Sequence, residues 1–252
     1  MIDIHTHILP GIDDGARDIY DTLDMAQMAA DSGVTAIVAT PHCNIPELFD
    51  NYLDAEYVKV FRDAQEAIRR EKIPVQLLAG MEVFSTYDLP DLLADKKVMT
   101  LNGSRYLLTE FAFDEDWEYA QDILERVCKM KVVPLVAHAE RYEFVQDNPQ
   151  IIYEWREKGY LIQVNKNSFQ GGFGRHAERT AYELLDHNLI SVIASDAHGA
   201  ERRTTYMKDV YEMLEEDYSE RVLRVLFEEN PRRICENRPT PVSYTHLTLP
   251  TT

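Results

Sequence analysis

Histidines and carboxylates of the kind that bind cations stand in short motifs spread over almost 200 residues of this chain. His5 and His7 lie in MIDIHTHILPGIDDG, His42 in ATPHC, Glu82 in AGMEVF and Glu110 in LLTEF. His138 lies in LVAHAER, and Asp196 and His198 in IASDAHG. Residues two apart on a strand share a face, so His5 and His7 can chelate one cation, and Asp196 and His198 repeat the spacing. Glu82 and Glu110 each close an apolar run, where a carboxylate is costly to bury unless it is paired or metal-bound. Each motif alone has a plainer reading: a core or surface histidine, a helix cap, an ion pair. Together they point to a multinuclear metal hydrolase. Asp13, Asp14 and Gly15 form a turn that can return a carboxylate to the same place; Asp13 reads as a turn-favouring residue.

Ligands so far apart in sequence need a fold that gathers strand ends. Apolar strand-like runs alternate with helical patterns throughout. The strands fall at Met1–His7, Val34–Thr40, Val75–Glu82, Tyr106–Glu110, Val132–His138, Leu161–Asn165 and Leu189–Asp196. Helices fall between them: Asp18 caps one running through Ser32 with a stop at Gly33, and Leu53–Glu71 carries apolar residues at helical spacing. Further helices fit 116–130, 151–158, 175–187, 206–215 and 219–229. Seven strands, each followed by helical sequence, imply parallel pairing through crossovers. A barrel of seven or eight β/α units brings every strand's carboxyl end to one mouth; an open doubly wound sheet is the alternative.

The 252 residues, 45% hydrophobic and 28% charged, suffice for one large domain. A net charge of −18 argues against nucleic acid or anionic membrane as a partner. The three cysteines, Cys43, Cys128 and Cys235, are widely spaced without a CxxC and fit a reducing cytoplasm. No segment has the form of a signal peptide or the apolar length of a membrane span. The last stretch, PVSYTHLTLPTT, is uncharged and rich in Thr and Pro. We read residues 239–252 as a non-native or disordered tail and 1–238 as the working domain.

The motifs HTHILPGIDDG, ATPH, AGMEV, LNGSRYLLTEF, AHAERY, QVNKNSFQGGFG and SDAH stand in the order and spacing of the PHP (polymerase and histidinol phosphatase) superfamily. The chain resembles in particular the manganese-dependent tyrosine-protein phosphatases of Gram-positive capsule and exopolysaccharide loci, over about residues 1–238. That resemblance implies a distorted (β/α)7 TIM-like barrel and two or three Mn²⁺ ions, with Fe, Zn or Co as possible substitutes. By the same resemblance His5, His7, Glu82 and Asp196 would hold one ion. Glu82, Glu110 and His138 would hold a second, and Asp14, His42 and His198 a third. Arg141 matches the family's basic residue beside the phosphate, and Arg203 a second; the plainer readings pair Arg141 with Glu140 or Glu143 and leave Arg203 solvated. Two departures stand out: Cys43 where relatives carry histidine, and Ala139 where they carry proline.

The implied reaction is hydrolysis of a phosphotyrosyl protein, the tail of a bacterial tyrosine kinase, by a metal-activated water. A cysteine mechanism needs Arg six positions after Cys, and those positions here are Phe49, Pro134 and Pro241. GGFG at 171–174 lacks the Lys-Ser/Thr of a phosphate-binding loop. Competing functions are a histidinol-phosphate or other small-molecule phosphatase, a PHP nuclease, and a metal-binding regulator without turnover.

Overall fold

The computed structural model describes residues 1–241. Nine strands form: β1 (Ile2–Thr6), β2 (Ala36–Ala39), β3 (His42–Cys43), β4 (Gln76–Ala79), β5 (Glu82–Phe84), β6 (Tyr106–Glu110), β7 (Val133–Val136), β8 (Leu161–Asn165) and β9 (Val192–Ala194). They lie in two parallel sheets, ordered β1-β2-β4 and β3-β5-β6-β7-β8-β9. The second strand read from sequence ends at Ala39 and is followed, past Thr40–Pro41, by the short strand β3; the third is broken in two at Gly80–Met81. Proline has no N–H to give to a ladder. At Gly80 a side chain would meet Val38 Cγ1 at 2.8 Å and Leu101 Cδ2 at 3.0 Å, so the packing there leaves no room for one.

The steps from β2 to β3 and from β4 to β5 carry the curl from one sheet into the other. The last strand also returns toward the first. The Asp196 N–H donates to the His5 carbonyl at 2.9 Å, and the His7 N–H donates to the Ala197 carbonyl at 2.9 Å. Helices Ile19–Asp31, Ala55–Arg70, Trp117–Lys129, Gln150–Glu157 and Arg175–Asp186 connect successive strands. The result is an α/β fold with a curled parallel sheet.

Every residue of β1, β6 and β8 is buried, as strands covered on both faces must be. Alternate residues serve two apolar layers. Ile37, Leu107, Ile162 and Ile193 pack with helix residues such as Met25 and Ile123. Ile4, Val38, Leu108, Leu135, Leu161 and Val192 form a second cluster built almost wholly from strands, inside the curl.

Asp18 caps the first helix, its carboxylate accepting from the Tyr20 and Asp21 N–H groups. Short helices at Leu89–Ala94, Glu143–Asp147, Lys166–Phe169 and Asn230–Cys235 escape the periodicity reading, because a run of four to six residues shows too few turns. Among the described residues no helix is long and apolar enough to cross a membrane. Of the tail, residues 242–252 lie outside the described residues. Pro239 and Pro241 still accept hydrogen bonds, from Arg233 and Arg156, and the Thr240 N–H donates to Tyr106.

Candidate metal centre

Glu82, at the start of β5, lies at the centre of the cluster. Its Oε1 is 3.1 Å from His5 Nε2 and 2.9 Å from His138 Nε2. Its Oε2 is 3.3 Å from His7 Nε2 and 3.0 Å from His42 Nδ1. Four imidazoles from three strand ends therefore face one fully buried carboxylate. Asp196 Oδ1 lies 3.5 Å from His5 Nε2 and 3.4 Å from His7 Nε2. Glu110 is 3.4 Å from both His138 Nε2 and His42 Nδ1. Asp14 Oδ1 is 3.4 Å from His198 Nε2 and 3.5 Å from His42 Nε2.

Three groups have donor atoms all within 4.8 Å of one another: His7, Asp14, His42 and His198; His5, His7 and Asp196; and His42, Glu82 and Glu110. His138 stands in none of these groups but lies 2.9 Å from Glu82, so the nine side chains expected as ligands lie close together. The partition differs in detail from the expectation, since His7 and His42 each stand in two groups. The donor set fits divalent transition-metal ions. Glu82 Oε2, Glu110 Oε2 and His42 Nδ1 are buried without an aligned hydrogen-bond partner, and His5 Nε2 and His7 Nε2 face each other at 3.4 Å. Converging nitrogen and oxygen lone pairs of this kind suit Mn, Fe, Co or Zn.

The electrostatics follow from this crowding. Burial opposes ionisation of Glu82, but His5, His42 and His138 together hold its carboxyl well below the usual range. Burial likewise opposes protonation of His42, yet Glu82 and Glu110 push it up to about 10. The same balance pushes His138 up to about 9. Protons here stand in for the positive charge that the carboxylates demand.

Two ligand candidates sit in unusual backbone. His138 has φ 33° and Asp196 φ 50°. Both lie two residues past the ends of β7 and β9, where the left-handed turn ends the strand and aims the side chain inward.

Arg141 closes the short turn Ala139–Arg141. Its guanidinium is 4.1 Å from the Phe113 ring centre and 4.2 Å from that of Phe173, and its Nη1 is 3.7 Å from Asp196 Oδ2. Arg203 Nη2 is 2.5 Å from the same oxygen. Both arginines therefore face the cluster. Glu140 instead is buried and accepts from the Asn165 N–H and Ser168 Oγ.

Asp13 is more than a turn residue. Its Oδ2 bonds His7 Nδ1 at 2.7 Å and accepts the His42 N–H at 3.0 Å, while Oδ1 accepts the Gly15 N–H. Such a partner fixes the tautomer of a ligating histidine. Its place six residues after His7 was the available signal. Gln163, Asn165 and Phe173 stand in the motif QVNKNSFQGGFG, but their residue types signal no particular role, and Phe113 lies outside the motifs.

Cys43 is fully buried in the apolar core, its thiol pushed up to about 12 by burial. It does not line the mouth, as its place beside His42 suggests. His176 and His187 are exposed and stand in none of the three groups; His246 lies outside the described residues.

The profile of the family "Capsular polysaccharide synthesis, CpsB/CapC" matches residues 1–236. Tyrosine-protein phosphatase YwqE of Bacillus subtilis is 32% identical over 242 residues, covering 94% of this chain and 92% of the relative. Tyrosine-protein phosphatase CpsB of Streptococcus pneumoniae is 28% identical over 239 residues, covering 93% and 98%. A crystal structure from work on YwqE and CpsB, described as unique metal-dependent tyrosine phosphatases, superposes with a TM-score of 0.88 at 32% identity. It covers 96% of this chain and 99% of the other.

Proposed function

This chain belongs to the CpsB/CapC family of capsular polysaccharide synthesis, and from that premise we propose that it is a metal-dependent protein-tyrosine phosphatase. Its physiological substrate is a phosphotyrosyl protein, the tail of a bacterial tyrosine kinase controlling capsule or exopolysaccharide assembly. The observation that carries the reading is the cluster itself: Glu82 among four imidazoles, flanked by Asp196, Glu110 and Asp14, with two arginines at its edge.

His5, His7, Asp196, Glu82, Glu110, His138, Asp14, His42 and His198 would hold two or three Mn²⁺ ions. Bound there, the cations would supply Lewis acidity, bringing a water toward ionisation near neutral pH and neutralising phosphoryl charge. Asp13 holds the His7 ring through Nδ1, which leaves Nε2 free to ligate. Arg141 and Arg203 bind the phosphoryl oxygens, whose charge grows as the ester bond breaks. The two phenyl rings pin Arg141 as a flat plate, so little side-chain freedom is lost on binding. Tyrosinate leaves without a dedicated acid, since its conjugate phenol has a pKa of about 10. The buried, unionised Cys43 takes no part.

We read the curled sheet as a distorted (β/α)7 barrel. In this reading β3 continues β2, β5 continues β4, and the bonds from Asp196 and His7 join the last strand to the first. Residues 1–238 would form the single catalytic domain, acting in the cytoplasm, where three free cysteines are at home.

The test is phosphate release from a phosphotyrosyl peptide and from histidinol phosphate, side by side under Mn²⁺. A kcat/KM favouring the peptide is expected. Turnover of histidinol phosphate alone would keep the metal centre and overturn the substrate assignment.

A further inference from the structure

We infer that Gln163 and Asn165, which bring no ligand of their own, form a polar relay that sets the tautomer of His5 and the free oxygen of Asp196. The inference rests on the metal-centre reading above and extends it to β8, a strand that contributes none of the nine ligand candidates.

The backbone N–H of His138 lies 2.8 Å from Gln163 Oε1. A backbone N–H can only donate, so the end of the Gln163 amide that faces it is the oxygen. The same oxygen is 2.9 Å from His5 Nδ1, which must then carry the proton. His5 Nε2 is then the nitrogen that faces the cluster, 3.1 Å from Glu82 and 3.5 Å from Asp196, and the one whose lone pair a cation would take. The amide nitrogen of Gln163 necessarily points the other way and donates to Asn165 Oδ1 at 2.7 Å. With its oxygen so engaged, Asn165 presents Nδ2 to Asp196 Oδ2 at 2.6 Å. That oxygen also faces Arg203, which leaves Oδ1 to turn toward His5 and His7.

Every step has one allowed polarity, and all the groups between His5 and Asp196 are fully buried or nearly so. A buried network of this kind is costly unless all its members are satisfied, so the chain of donors resists reversal. Two ligands from opposite ends of the sequence are thereby set by one amide on β8. Gln163 and Asn165 are positioning residues: they touch neither substrate nor the reacting atoms.

Two variants separate this role from simple packing. Gln163→Leu removes both halves of the relay. Gln163→Glu keeps the acceptor for His5 and His138 but cannot donate to Asn165, whose amide must then turn its oxygen toward Asp196. The first measurement is the ¹⁵N chemical shifts of the His5 ring in histidine-labelled protein without added metal. The wild type is expected to hold the proton on Nδ1; Gln163→Leu is expected to lose that preference and Gln163→Glu to retain it. The second is Mn²⁺ affinity by titration calorimetry, with folding checked by circular dichroism. Both variants are expected to bind about 10–100-fold more weakly, the usual effect of losing a ligand's outer partner. An unchanged His5 tautomer in Gln163→Leu, or unchanged Mn²⁺ affinity in both variants, would overturn the relay. Failure of the wild type to bind Mn²⁺ would instead overturn the metal centre, while the tautomer measurement would still decide the relay.

Discussion

The residue types at the centre hold one another in charged forms that burial alone would not allow, and that balance governs how a cation would enter. Burial alone would neutralise Glu82 and discharge the histidines; mutual proximity reverses both, leaving acids ionised and His138 and His42 pushed up to about 9 and about 10. A cation entering the cluster must displace those protons, so uptake releases protons and strengthens as pH rises. Between pH 6 and 8 the apparent Mn²⁺ affinity is expected to rise on the order of tenfold per pH unit for each proton displaced. Calorimetry in buffers of different ionisation enthalpy checks this, and a flat profile would count against it. Arg141 is a case where shape matters beyond charge. Arg141→Lys keeps the positive charge but not the plane between Phe113 and Phe173. Peptide kcat/KM is expected to fall about 10–100-fold, within the range for losing one transition-state donor, while the Mn²⁺ stoichiometry stays the same. The ligand types were legible because histidine and carboxylate at strand ends have few inexpensive explanations. Gln163 was not, because a glutamine inside a strand acquires its role only from His5 and His138, far away in sequence.

At the scale of elements, the strands and long helices follow from period and caps, and Asp18 heads its helix as its type predicts. What periodicity misses is the breaks. Thr40–Pro41 and Gly80–Met81 lie within apolar runs, and nothing in the alternation marks where a ladder changes sheets. The turn after β1 carries a sharper constraint. A Cβ on Gly15 would lie 2.1 Å from the His7 carbonyl oxygen and 2.4 Å from its Cβ, so the turn closes only on glycine. Gly15→Ala must push away the segment bearing Asp13 and Asp14 or displace His7. We expect a folded protein whose Mn²⁺ affinity is lower by roughly tenfold or more. Circular dichroism and calorimetry on the same sample would check it; native affinity would show that the turn yields without moving the ligands.

For the whole molecule, the parallel curl turns seven separated motifs into one mouth. Hydrophobic pattern announces strands that are covered on both faces, and β1, β6 and β8 bear this out along their full length. Pattern does not announce how near the last strand comes to the first, because that approach is made through bonds to the backbone at His5, His7, Ser195 and Asp196. The net charge of −18 and the chemistry at the mouth fit together once cations carry the positive field that a phosphate requires. No thiol offers an alternative route: Cys43 and Cys235 are buried and pushed up to about 12, and burial also raises Cys128.

The most direct measurement is therefore phosphotyrosyl-peptide hydrolysis by enzyme first treated with a thiol-alkylating reagent, then stripped with EDTA and finally given back Mn²⁺. The account predicts activity that survives alkylation, disappears with the chelator and returns with the ion. Activity lost to alkylation, or retained in EDTA, would contradict a metal centre as the seat of catalysis.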